Sequence, residues 1–166
     1  MSNYSGPLHI KYDPVASAAL GTPHVRLLSS FRLYLPQTVI GNEWTAYDPD
    51  TWIFCNAGML TDLGTIPDLF RGMFPSGGKY SQAYVVHDQA CEYLSITVGG
   101  RPKRITRQEA DLILLYALQE LGMDKQEAYT IYNAVAAYQM VRQITQPSTT
   151  VIKRRLEAAF NFEDIL

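Results

Sequence analysis

The stretch Thr106-Arg107-Gln108-Glu109-Ala110-Asp111-Leu112-Ile113-Leu114-Leu115-Tyr116-Ala117-Leu118-Gln119-Glu120-Leu121-Gly122 decides the fold class. It opens with a capping box: the Thr106 hydroxyl can accept from the Glu109 amide while the Glu109 side chain reaches back. It closes at Gly122, a residue suited to ending a helix. Between these signals the run 112–118 is apolar on every side, so the pattern predicts a buried helix over 106–121.

Working outward, Asp124-Lys125-Gln126-Glu127 repeats an acidic cap and a Glu at the same spacing, opening a helix to about residue 143. A last helix, 150–160, follows the break at Pro147. Upstream, a short hairpin or loop over 95–104 turns at Gly99-Gly100, and a helix over 81–94 follows the turn Pro75-Ser76-Gly77-Gly78. Further upstream the pattern changes to strands. Residues 25–35 favour β-structure, Leu33 and Leu35 alternate with Tyr34, and Pro36 ends the run. Residues 38–40 lead into a Gly41-Asn42 turn, and 44–47 follow. Asp48-Pro49-Asp50 signals another turn, and 51–55 form a second compact strand. The expected architecture is α+β: an N-terminal antiparallel β-sheet packed on a C-terminal cluster of three to four helices. We expect a single domain over 1–166, with strands and turns in 1–56, a site loop in 57–80 and helices in 81–166.

Composition narrows the function classes. The 166 residues are 47% hydrophobic and 18% charged, with a formal net charge of -2. That balance argues for a globular chain and against a broad nucleic-acid-binding surface. The densest basic run, Arg101, Lys103, Arg104 and Arg107, is expected to be a solvated loop and helix start. Cys55 and Cys91 are too few for a disulfide framework, so free thiols in a reducing compartment are expected. The N-terminal MSNYSGPLHIKYDP does not read as a secretory signal, and no apolar run reaches the roughly 18 residues of a membrane span. A soluble protein made in the cytoplasm is the expectation.

The residues able to carry chemistry lie between Ala57 and Asp111. Gly58, Gly64 and Pro67 constrain a loop that can hold Asp62 in a defined place, or Asp62 simply caps a short helix over 67–74. His87 and Asp88 interrupt an otherwise apolar helix. Neighbouring helix positions point about 100° apart, so both can face one centre only from the helix edge. Asp111 shares a buried stripe with Leu115 and Leu118 and needs a partner: His87, a metal, a helix N-terminus, or Arg107 one turn earlier. His87 and Cys91 are four apart, within reach of one another as a thiol–imidazole pair, although Cys91 reads more simply as packing. Asp88 and Glu92 share that spacing, with Glu92 expected to be solvated near the helix end. The tyrosines Tyr129, Tyr132 and Tyr138 read as core or edge packing. Walker, dinucleotide-fingerprint, HExxH, GxSxG and CxxC motifs are absent from the sequence.

The order Thr61-Asp62, Thr65-Ile66-Pro67, then His87-Asp88, then Arg107 and Asp111, resembles a phage and prophage family of uncharacterised domains. Its signature reads T-D-x-x-[ST]-I-P followed by H-D and an acidic helix position. The likeness covers about residues 51–138. Thr65 stands where Ser is usual, Met59 where an aromatic is usual, and Gln89-Ala90 where aromatics are common. The resemblance implies a viral or prophage setting, hence the host bacterial cytoplasm or the virion, and no particular reaction. The His-Asp pair also resembles, in chemistry only, that of the all-helical phosphohydrolases named for the dipeptide. His9 and His24, in the strand-rich half, do not supply their further histidine.

Two functions compete. In one, the chain is a metal-assisted hydrolase. Asp62, His87, Asp88 and Asp111 are its catalytic set, and His87, Asp88 and Asp62 hold a divalent ion such as zinc. Its substrate would be peptidoglycan or a nucleotide. In the other, the chain is a non-enzymatic virion, assembly or host-factor-binding protein, partnered by phage proteins or a host factor. Its Asp/His cluster is then a structural hydrogen-bond network.

Overall fold

The computed structural model describes residues 3–36, 47–63, 78–143 and 145–161. Strand β1 (Ile10–Tyr12) leads into helix α1 (Pro14–Leu20), then β2 (Val25–Leu27), β3 (Phe31–Pro36), β4 (Tyr47–Cys55) and β5 (Leu60–Thr61). Helix α2 (Ser81–Tyr93), the hairpin β6 (Ser95–Val98) and β7 (Arg101–Arg104), and helices α3 (Arg107–Glu120), α4 (Lys125–Arg142) and α5 (Val151–Ala158) complete the order. Antiparallel sheets thus precede a group of helices, as the α+β reading expects. Among the described residues the strands form two sheets rather than one, β1-β2-β5 and β3-β4-β6-β7.

Local chemistry explains most boundaries. The capping box at α3 is complete: Glu109 N donates to Thr106 Oγ1 at 3.1 Å, and Thr106 N donates to Glu109 Oε1 at 3.0 Å. Asp124 caps α4 through Gln126 N, and Thr150 caps α5 through Lys153 N. Leu94 ends α2 in the left-handed region, and the next residue enters β6. Gly99 and Gly100, with φ of 56° and 78°, make the tight turn that returns β7 along β6.

Three expectations need revising. The strand-like run 25–35 is broken at 28–30, and its two halves join different sheets. The turn expected at Asp48-Pro49-Asp50 is instead part of β4, where the register slips: Tyr34 faces Trp52 but Pro36 faces Tyr47. An irregular stretch tolerates a proline, which has no N–H to give a ladder. The hairpin 95–104 does not stand alone; β6 pairs with β4 and extends the N-terminal sheet. The Gly41-Asn42 turn and the short helix over 67–74 lie outside the described residues.

The core joins both halves. Leu33, Leu35, Ile53 and Cys55 from the four-stranded sheet meet Val86 and Ala90 of α2, Ile113, Leu114 and Leu118 of α3, and Ile131 of α4. The α3 helix is buried nearly all round, with Ala110, Asp111 and 113–118 enclosed. Among the described residues, no helix is long and apolar enough to cross a membrane.

Candidate metal centre

Helices α2 and α3 pack against each other, and the candidate site lies in their seam. His87 is on α2, and its Nε2 lies 2.9 Å from Asp111 Oδ1 on α3. Cys91, one turn along α2, brings its Sγ to 3.3 Å from the same Nε2. The ligand atoms of His87, Cys91 and Asp111 all lie within 4.8 Å of one another. Asp111 is 1% exposed, and the His87 side chain is 13% exposed.

The geometry separates two chemistries. A thiol–imidazole–carboxylate triad uses both ring nitrogens, one for the nucleophile and one for the orienting carboxylate. Here sulfur and carboxylate converge on one nitrogen, which carries at most one proton. Convergence of N, S and O is the pattern of shared ligation. Around tetrahedral zinc the ligand atoms stand about 3.3–3.6 Å apart. The 2.9 and 3.3 Å separations need only a small opening to reach that spacing.

A shell of partners holds these residues. Gln139 of α4 donates from Nε2 to Asp111 Oδ1 at 2.8 Å. Arg107 does not pair with Asp111 as its i-4 position suggested. It donates to Gln139 Oε1 at 3.1 Å and to the Cys91 carbonyl at 3.2 Å. Burial pulls the His87 imidazole down, but Cys91 and the Asp111 carboxylate outweigh it and push the ring up to about 10. Asp111, Gln139, Arg107 and Tyr132 are among the residues lining a cavity of about 750 Å³ at α3 and α4.

Asp88 and Asp62 belong to a neighbouring group. Asp88 Oδ2 lies 3.7 Å from Lys153 Nζ of α5. Burial raises the Asp88 carboxyl above the usual carboxylate range; Lys153 opposes this and the nearby Asp62 adds to it. Glu92, expected in solvent, is 2% exposed and contacts the Lys153 ammonium. So the ligand atoms that meet most closely are those of His87, Asp111 and Cys91, while Asp88 stands near Lys153, with Asp62 close enough to act on its charge. Sequence reasoning weighed Cys91 as packing and did not find Gln139 or Lys153. The i+4 spacing of His87 and Cys91 was the available signal for the first; nothing local marked the other two.

The sequence model of a family described as "Protein of unknown function (DUF1353)" matches residues 39–135, more than half of the chain. No curated protein and no solved structure matches it. The matched span contains Asp62, His87, Asp88, Cys91 and Asp111 but stops before Gln139 and Lys153.

Proposed function

This chain belongs to the DUF1353 family, and we propose that it is a metal-assisted hydrolase whose divalent ion, zinc by ligand type, is held by His87, Cys91 and Asp111. The observation that carries this reading is the convergence of Nε2, Sγ and a carboxylate oxygen of Asp111, a residue that also lines a cavity of about 750 Å³. Imidazole, thiolate and carboxylate together suit zinc better than calcium or magnesium, which prefer oxygen. Three protein ligands leave a fourth position for water, as catalytic zinc sites require. The ion would lower the pKa of that water, and the resulting hydroxide would add to the bond the ion polarises. Asp88 and Asp62 then act on the centre through their charge, beside His87 rather than in the ligand set. The T-D-x-x-[ST]-I-P and H-D pattern supports a phage or prophage setting, with peptidoglycan or a nucleotide as the substrate class.

A second reading has its own support. Asp111 Oδ1 already takes a hydrogen bond from Gln139, and Arg107 ties Gln139 to the Cys91 carbonyl. A paired network of this kind fits a non-enzymatic virion, assembly or host-factor-binding protein. Elemental analysis separates the two. On the first reading the purified chain carries about one zinc, and Cys91→Ser, His87→Gln and Asp111→Asn each lose most of it while staying folded. A wild-type chain that takes up no zinc after incubation and desalting would leave only the network.

A further inference from the structure

The cavity of about 750 Å³ at α3 and α4 has the size of a small-molecule site. Its lining combines two chemistries. Arg104, the last residue of β7, and Arg107, the first residue of α3, both line it. So do Leu112 of α3 and Tyr132 of α4, whose ring packs edge-on against Tyr129. Asp111 lines it as well, so the cavity reaches the carboxylate that faces His87.

Arg107 is held in place by neutral groups. Its Nε donates to Gln139 Oε1 and its Nη1 to the Cys91 carbonyl. These bonds take two of the five N–H groups that a guanidinium offers. Among the described residues neither Arg107 nor Arg104 is met by a carboxylate, whereas Arg26 pairs with Asp13 and Lys153 with Glu92. Glu109, in the first turn of α3, is drawn back to the Thr106 amide. Arg107 is half-buried, and it sits at the end of a helix that is already positive. An anion in the cavity would offset the burial of that charge and the helix field together. A guanidinium fixed beforehand also loses less freedom when it binds one.

We propose that the cavity binds a nucleotide, with its phosphate on the Arg107 guanidinium, Arg104 as the second cation, and its base against Tyr132 and Leu112. Phosphate suits the planar fork of arginine, and the base suits the aromatic and apolar wall. A glycan–peptide fragment offers carboxylates to the arginines but no planar base to Tyr132. The pocket stands on these contacts alone; that the nucleotide is the substrate of the His87 centre rests on the hydrolase reading.

Calorimetric titration of the full chain with AMP, GMP, CMP and UMP, once in chelator and once with zinc, tests the proposal. At least one nucleotide should bind in chelator with a Kd below about 1 mM. Inorganic phosphate should compete with it, and the bare nucleoside should bind about tenfold more weakly or worse. Arg107→Lys keeps the charge but not the fork, and should weaken the nucleotide about tenfold. Tyr132→Leu should weaken the nucleotide about fivefold or more through lost stacking, and leave inorganic phosphate unchanged. A wild type that binds none of the four at millimolar concentration overturns the pocket, as does an affinity that a folded Arg107→Lys leaves unchanged. Binding of a muramyl peptide in place of the nucleotides overturns it too. If Arg107→Lys does not fold, Arg104→Ala and Tyr132→Leu carry the test, and unchanged affinity in both overturns it. Zinc content is read separately. Nucleotide binding by a chain that takes up no zinc keeps the pocket and removes the hydrolase; zinc in a chain that binds no nucleotide does the reverse.

Discussion

At the residue scale, Asp111 has the most at stake. It is enclosed in the apolar middle of the protein and accepts from Gln139 while facing His87. Truncation takes from the Gln139 amide and the His87 imidazole the carboxylate they share, and breaking a buried pair in this way costs about 3–5 kcal/mol. We expect Asp111→Ala to lose that much in urea unfolding of the metal-free protein. Asp111→Asn, which preserves shape and one acceptor, should lose clearly less. Equal losses for the two variants would mean that packing, and not the polar partnership, sets the stability here. The partnership itself was only half visible beforehand. A carboxylate on a buried stripe had to be paired, but the i-4 arginine was as good a candidate as the distant histidine. The α2–α3 contact chose His87, and α4 contributed Gln139, which turned Arg107 away.

At the element scale, the capped helices were legible because their signals are local. Asp13-Pro14 and Gly21 bracket α1 with signals of the same kind, yet seven residues are too few for a hydrophobic period to stand out. Asp13 accepts from Ala16 N at 2.9 Å and from Arg26 Nε at 2.8 Å. Arg26 in turn holds the Gly58 carbonyl at 2.8 Å and stacks on Phe160. Gly58 has φ of 93°, and a Cβ there would meet the Phe160 ring at 2.8 Å, so the glycine permits both the backbone and the packing. Replacing Asp13 by Ala should cost about 1–2 kcal/mol through the lost cap. Chemical denaturation measures it directly, and a change near zero would show that α1 is held by its neighbours alone. Strands β1 and β5 gave no comparable signal, since three and two residues carry no alternation.

At the scale of the whole molecule, charge and burial set how stability follows pH. The His87 imidazole is pushed up to about 10 from an ordinary 6.5. A raised basic group contributes stability that is complete below 6.5 and is lost as pH rises through about 10. Metal-free wild type should therefore melt at progressively lower temperature across that interval. His87→Gln should remove this dependence, and a wild-type profile already flat there would contradict the pairing. Asp88 and Glu157, both held above the carboxylate range chiefly by burial, bring stability that fades as pH rises through their own titration. Asp13 works oppositely: burial alone would raise it, but the Ala16 amide and Arg26 hold it low. Its contribution is present above the ordinary carboxylate value and is lost as pH falls. Zinc at the His87 centre requires a neutral imidazole, so zinc uptake should also release protons, measurable in weakly buffered solution.

The sequence by itself determined the α+β class, the capped helices α3 and α4, the Gly99-Gly100 hairpin turn and the need for Asp111 to find a partner. Each follows from short-range chemistry: a hydroxyl three residues from a glutamate, a glycine pair at a reversal, a carboxylate in an apolar run. Tertiary structure decided the division into two sheets, the joining of β6 to β4, the convergence of His87, Cys91 and Asp111, and the burial of Glu92 under Lys153. These contacts join residues up to 61 positions apart in the chain. No periodicity within one element encodes such a pairing; it exists only once packing has brought the helix faces together.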